Sequence, residues 1–302
     1  MHIRSIAYFV TLAREGHFGR AAELCRVSQP TLSAGIAALE SELGKRLVIR
    51  DRRYVGLTAE GETMLPWARA MLAAHDGMAK AIAASAGPLR GELRLGAIPA
   101  SMPVTGHVTR AFLRAHPSVN VRITTRTSRE IEAELAAFEL DAGLTYLDHE
   151  PPANTVSVPL YREQYVLLAR AGSPLGRAGK AVRWAEVAGQ PLCLLHQGMQ
   201  NRRILDSRLA ERGIVLEPAM LADSYLALLA MVEAGDFVSI IPDSYAALLP
   251  GLDWARIVPF DDPIAPSRIG LVVSRHDPLG PVAAALLALA PRLELPPAFQ
   301  PV

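Results

Sequence analysis

Cysteine is nearly absent from this chain, with two residues, Cys25 and Cys193, among 302. Their distance in sequence leaves no disulfide framework. Two buried thiols in a cytosolic protein is the simplest reading, because a redox switch would need two separate regions to meet. Long apolar runs are missing too. The stretch from Ile6 to Ala13 is short, interrupted by Thr11, and followed by Arg14 and Glu15 rather than a cleavage site. Neither a signal peptide nor a membrane span is expected, and the expected location is cytoplasmic. The eight histidines are scattered, without an HExxH or paired-cysteine spacing. No GxSxG elbow, P-loop or GxGxxG follows a strand. The pattern therefore asks for no metal, cofactor or catalytic step.

Net charge is also low, +1 at pH 7, but it is unevenly placed: residues 1–58 hold nine Lys/Arg against five acids. A basic head on a mildly acidic body suggests that the head alone meets a polyanion.

Within that head, "IRSIAYFVTLARE" places Ile6, Phe9, Val10 and Ala13 on one helical face, and Gly16 breaks the pattern. A short helix "GRAAELC" follows, then a tight turn at Arg26-Val27. The third helix starts at Ser28, a good N-cap, and tolerates Pro30 in its first turn. Leu32, Ile36, Leu39 and Leu43 form its inward stripe, and Gly44 stops it. Two extended pieces, "RLVIR" and "YVGLT", are joined by Asp51-Arg52-Arg53. Three helices and a basic hairpin make a winged helix-turn-helix.

Pro30, Ser33, Ala34 and Ala37 lie off the apolar stripe of the third helix, with Gln29 at its edge. A helix entering the major groove needs this combination of small residues and hydrogen-bonding side chains near its N-terminus. Gln29 suits an adenine edge, Ser28, Thr31 and Ser33 suit phosphates or bases, and Arg50, Arg52 and Arg53 suit phosphate or minor-groove contact. Each has a plainer explanation taken singly, Ser28 as a cap above all. Taken jointly they favour DNA.

From Thr58 a long helix begins. Met64, Ala68, Met71, His75, Met78 and Ile82 step by four and three, a heptad seam that wants a partner helix. Packing on the chain's own body is the alternative, and Pro66 disturbs the pattern. "ASAGPLRG" at 84–91 ends the helix as a hinge. Beyond Gly91 strands such as "GELRLGAI", "NVRITTR", "AGLTYL", "YVLLAR", "PLCLL" and "FVSII" alternate with helices. An α/β fold with a largely parallel sheet is expected, with ligands at strand ends and helix N-termini.

The stretch "FGRAAELCRVSQPTLSAGIAALESELGKRLVIRDRRYVGLTAEG" resembles the head of LysR-type transcriptional regulators. Ala21-Ala22, Leu24, Ser28-Gln29-Pro30, Ser33, Ile36, Leu39-Glu40, Leu43-Gly44, Leu47, Arg50 and Leu57-Thr58 carry the match. Val48 departs from it, where the family usually has Phe. The resemblance extends more loosely over the whole chain. It implies a winged helix-turn-helix domain at 1–58, a linker and dimerisation helix at 59–88, and a two-lobed α/β effector domain at 89–302 like periplasmic binding proteins. Lobe I would hold about 89–160 plus 267–302, and lobe II about 161–266. A homodimer or homotetramer on a partly palindromic promoter site is implied, with a small effector and RNA polymerase as further partners.

Carried onto this chain, the effector site falls at Ala100 and Ser101, Thr127 and Ser128, Thr145 and Tyr146, and the segment holding His196, Gln197, Met199 and Gln200. Converging helix N-termini and hydroxyls favour a small carboxylate or other anion. Ser128 also serves as a helix cap, and for His196 ligand contact and a structural loop bond stand equal. Arg202 and Arg203 suit a carboxylate or solvent. The rival functions are an enzyme and a cytosolic small-molecule-binding protein with no transcriptional role. The lack of any catalytic motif counts against the first, and the basic head counts against the second.

Overall fold

The computed structural model describes residues 1–302 except 52, 86, 177–179, 250, 252 and 302. The chain divides into two compact units, Met1–Gly87 with Ala136–Glu139, and Pro88–Leu135 with Leu140–Val302.

In the first unit, α1 (Ile3–Glu15), α2 (Phe18–Leu24) and α3 (Gln29–Leu43) enclose a core of Ile6, Phe9, Leu12, Ala21, Ala22, Leu32, Ile36 and Leu39. The inward stripe of α1 thus runs through Leu12 more than Ala13, while Leu43 at the end of α3 is 43% exposed. Burying a side chain such as Phe9 stabilises the head by about 1.5–3 kcal/mol. The helix ends follow local chemistry. Gly16 and Gly44 take left-handed φ values of 62° and 65°, which a side chain would strain. Ser28 Oγ accepts from the Thr31 amide at 3.3 Å. The α2 cap is His17, whose Nδ1 accepts from the Gly19 amide at 3.1 Å.

The wing pairs β1 (Val48–Asp51) with β2 (Arg53–Leu57) antiparallel, with a bulge between Ile49 and Arg50. Glu40 of α3 braces it. This buried carboxylate accepts from the Leu47 amide at 2.9 Å, the Val48 amide at 3.1 Å and the Arg50 guanidinium at 2.8 Å. Next, α4 (Ala59–Ser85) runs for 27 residues through Pro66. Thr58 Oγ1 accepts from the Gly61 amide at 3.0 Å. A Cβ on Gly61 would lie 2.1 Å from the Leu47 carbonyl oxygen, so the helix start and the wing need glycine there.

The second unit has two lobes. Lobe I carries β3 (Gly91–Ala97), α5 (Met102–Ala115), β4 (Val119–Thr125), α6 (Ser128–Ala136), β5 (Ala142–Tyr146), β6 (Thr155–Glu163), β12 (Ser267–Ser274) and α11 (Pro281–Leu289). Its sheet has the order β4-β3-β5-β12-β6. Lobe II carries β7 (Tyr165–Arg170), α7 (Trp184–Ala188), β8 (Cys193–Leu195), α8 (Gln200–Ala210), β9 (Met220–Ala222), α9 (Tyr225–Ala234), β10 (Ser239–Pro242), α10 (Asp243–Ala246) and β11 (Ala255–Val258). There β10-β7-β11 is one sheet and β8-β9 another, joined by a bridge between Leu192 and Val238.

The largely parallel sheet expected from the alternation holds for β3 with β4 and β5, and for β8 with β9. It fails for β12, which runs antiparallel to β5 and β6, and for β7, antiparallel to β10 and β11. These are the strands beside the crossings between lobes, where no helix intervenes to restore direction. One crossing is very short. Glu163 still pairs with Ser267 in lobe I, and Tyr165 already pairs with Pro242 in lobe II.

Candidate functional site

Three surfaces carry the chemistry. On the head, Gln29, Pro30 and Thr31 are exposed along the first turn of α3 and Ser33 is half-buried. Ser28 Oγ is occupied twice, by the Thr31 amide and by Thr31 Oγ1 at 2.8 Å. Gln29 is thus the longest open hydrogen-bonding side chain there. On the wing the arginines differ. Arg50 is held by Glu40, whereas Arg53 is exposed and in no ion pair among the described residues. Arg52 lies outside the described residues.

Along α4 the apolar positions divide. Ala68 is 2% exposed within the head core, and Met64 packs against that core. Their side of the helix is already partnered. Among the described residues the large apolar side chains of α4 left in solvent are Trp67, Met71, Met78 and Ile82, at 76%, 42%, 59% and 67% exposure, with His75 exposed beside them. Trp67 escapes a pattern counted from Met64, although its four-residue step to Met71 is legible.

The third surface lies between the lobes of the second unit. Ile98, Ala100, Thr127 and Ser128 from lobe I face Leu195, Met199, Gln200 and Asn201 from lobe II across a cavity of about 10 Å³, room for one water. Thr127 caps α6 by accepting from the Glu130 amide at 3.2 Å, and the Glu130 carboxylate accepts from the Thr127 amide at 2.7 Å. That exchange holds the Glu130 carboxyl below its usual range. It leaves Ser128 Oγ buried with no hydrogen-bond partner among the described residues, and Gln200 Oε1 is in the same state. Helix α8 has no side-chain cap at Met199. Two helix N-termini and a buried unpartnered hydroxyl thus share the cavity.

The other expected residues are placed differently. Ser101 is fully buried and donates to the carbonyls of Ile98 and Leu144 at 3.0 and 3.1 Å, so its hydroxyl is used. Thr145 and Tyr146 are buried behind the cavity. His196 Nδ1 accepts from the Gly198 amide at 3.0 Å in the loop before α8, and Gln197 is exposed. Arg202 is buried against Asp206 and the Leu195 carbonyl, while Arg203 binds Glu150. The Gln200 side chain donates to the His149 carbonyl, so α8 clasps a loop whose His149 and Glu150 have φ of 53° and 60°.

Two residues of this region escape a reading by motif, Asn201 and Glu163. Asn201 lines the cavity and donates from Nδ2 to the Tyr146 hydroxyl at 2.6 Å. Tyr146 in turn donates to Glu163 Oε1. Burial pushes the Glu163 carboxyl well above its usual range, and Asp243 adds to the rise. No local signal marks Glu163, because it stands between Arg162 and Gln164 at the end of β6 and its burial comes from the fold. Cys193 is fully buried on β8 and its thiol is pushed up by burial. Among the described residues no helix is long and apolar enough to cross a membrane, and no grouping of His, Cys, Asp and Glu fits a metal ion.

Comparison with known proteins matches residues 3–62 to the bacterial regulatory helix-turn-helix protein, lysR family, and residues 86–293 to the LysR substrate binding domain. The hydrogen peroxide-inducible genes activator of Escherichia coli is 30% identical over 280 residues, covering 92% of this chain and 91% of that protein. Full-length OxyR of Pseudomonas aeruginosa, solved as a point variant, superposes with a TM-score of 0.79 at 28% identity, over 100% of this chain and 97% of that one. CbnR, solved in complex with its target DNA, gives 0.68 at 26% identity, over 97% and 100%. These relatives are transcription regulators, not enzymes.

Proposed function

Because the chain belongs to the LysR family of DNA-binding transcriptional regulators, we propose that it reads a partly palindromic promoter site as a homodimer or homotetramer in the cytoplasm, under control of a small anionic effector, with RNA polymerase as a further partner. The reading of DNA falls to Gln29, Pro30, Thr31 and Ser33 on α3, with phosphate contact from Arg53. Pairing falls to the exposed stripe of α4, since a helix face with Trp67 and Ile82 in solvent is costly unless a partner covers it. CbnR bound to its target DNA supports the DNA partner.

The observation that carries the effector reading is Ser128 Oγ, buried and without a hydrogen-bond partner among the described residues, at the start of α6 beside the start of α8, which has no side-chain cap. A carboxylate there would satisfy the hydroxyl and helix N–H groups together. Peroxide sensing through a thiol, which the relative's name raises, has less support. A redox-sensing cysteine is exposed and of low pKa, and Cys193 is neither, while Cys25, half-buried at the end of α2 and not fully buried as expected, belongs to the DNA-binding head. Footprinting on DNA upstream of the protein's own gene, at two salt concentrations, tests the regulator reading. A palindromic protected site that competitor DNA does not displace, and that small carboxylates shorten or shift, is expected. Loss of the ligand-induced shift in Ser128→Ala, with protection intact, is expected as well. Protection indifferent to every carboxylate tried would remove the anion from the proposal.

A further inference from the structure

Behind the cavity the seam between the lobes contains a second polar region that an anion does not explain. Its centre is Glu163, 2% exposed at the end of β6. Oε1 accepts from Tyr146, while Oε2 has no hydrogen-bond partner among the described residues. The other charged group acting on this carboxyl is Asp243, of the same sign. Burial and Glu163 together raise the hydroxyls of Tyr161, Tyr165, Tyr225 and Tyr245, so tyrosines crowd the acid. The Tyr225 hydroxyl and Thr145 Oγ1 are also buried without hydrogen-bond partners among the described residues. A region with an acid, aromatic rings and unpartnered oxygens is short of one thing, a donor carrying positive charge.

The two polar regions are continuous. Asn201 lines the cavity, and its Nδ2 is 2.6 Å from the Tyr146 hydroxyl and 3.5 Å from Glu163 Oε1. Glu163 and Tyr146 come from lobe I, Asn201 and Tyr225 from lobe II, so the acid is reached when the lobes part. The cavity at Ser128 and Asn201, about 10 Å³, has room for one water, so an organic ligand enters as the lobes part.

We propose that the effector is an aminocarboxylate, a small molecule with a carboxylate at one end and an ammonium at the other, and that Glu163 receives the ammonium. The carboxylate occupies the helix starts at Ser128 and Gln200. The ammonium supplies the missing donor at Glu163 Oε2 and the tyrosine hydroxyls, and pairs with the buried carboxyl. This inference rests on the reading that an anionic group binds between the lobes.

Calorimetry on the full-length protein with matched pairs tests it: glycine and acetate, β-alanine and propionate, γ-aminobutyrate and butyrate. At least one amino member is expected to bind about tenfold more tightly than its partner, the gain of one buried charge pair. Glu163→Gln should bring that ratio close to one by weakening the amino member and not its carboxylate partner, a split that a structural role would not produce. Tyr225→Phe, which removes one unpartnered hydroxyl, should lower the ratio by a smaller factor and serves should the first variant fail to fold. Ser128→Ala should weaken both members alike. Carboxylates that bind with no advantage from the amine would overturn this inference and leave the anion reading standing. A preference for amines that survives in Glu163→Gln overturns it too. Binding by neither series overturns both.

Discussion

Two glutamates are buried among the described residues, and their surroundings are opposite. Glu40 in the head receives three donors, two wing amides and the Arg50 guanidinium. Glu163 in the effector domain is more deeply buried, has one oxygen bonded by Tyr146, and leaves the other without a partner among the described residues. Every buried unpartnered side-chain atom among the described residues lies in the effector domain, and most stand along the seam between its lobes. Burial of polar groups is therefore not one phenomenon here. A satisfied acid fixes the angle between a helix and a wing, so it belongs to architecture. An unsatisfied acid on a surface that can open stores a demand for a ligand.

The largest effect should come from breaking the satisfied side. Glu40→Ala leaves the Leu47 and Val48 amides and Arg50 without their acceptor, and a loss of about 3 kcal/mol in head stability is expected. Denaturant unfolding and DNA binding would report it, and a change under about 1 kcal/mol would mean that water replaces the carboxylate. Gly61→Ala should cost somewhat less, about 2 kcal/mol, because its Cβ must displace the Leu47 carbonyl at the base of the same wing. An unperturbed melting curve would show that the helix start slides freely.

Glu163 should behave differently, and pH exposes it. Its pKa is raised in the folded state, chiefly by burial. Stability from its neutral form is therefore fully present below the unfolded carboxyl value, about 4.3, and is lost as pH rises through the folded value. Urea midpoints of the effector domain should fall across that window in the wild type and fall less in Glu163→Gln. Parallel curves for the two proteins would place the pH dependence elsewhere. Asp148, Glu130 and Glu150, all lowered by hydrogen bonds or arginines, act in the opposite sense and lose their contribution as pH drops.

The contrast also marks what a linear sequence can disclose. The ends of α3 are local events, a serine cap and a left-handed glycine, and both are visible at Ser28 and Gly44. The long helix after Thr58 is equally plain, because its capping threonine and acidic first turn precede it. The brace from Glu40 to Arg50 spans a turn and a strand, so nothing in the periodicity announces it. His17 as a cap was hidden by its residue type. In the effector domain β12 is buried on nearly every residue and β9 and β11 are only three and four residues long, while the antiparallel pairing of β6, β11 and β12 depends on partners distant in sequence. The helix starts at Thr127, Ser128 and Gln200 are readable as local turns. The meeting of Asn201, Tyr146 and Glu163 is not, since three distant segments supply it.

The smallest effects lie on the DNA surface, where the same distinction between tied and open groups applies. Arg50 spends its guanidinium on Glu40, while Arg53 stands in solvent. Arg53→Ala should weaken binding to all sequences alike and lower the slope of log affinity against log salt by about one. Arg50→Ala should act mainly through head stability, with a smaller change in slope. Gln29→Ala should do neither. Its side chain is exposed at the first turn of α3, where it can meet a base edge but contributes no charge. The expected change is a relaxed preference at one or two base pairs, each worth about 1–3 kcal/mol, with the salt slope unchanged. Competition binding on a randomised operator resolves this. If selectivity persists, the reading of sequence passes to Ser33 and Thr31 and to the shape of the groove, and the openness of Gln29 is then solvation alone.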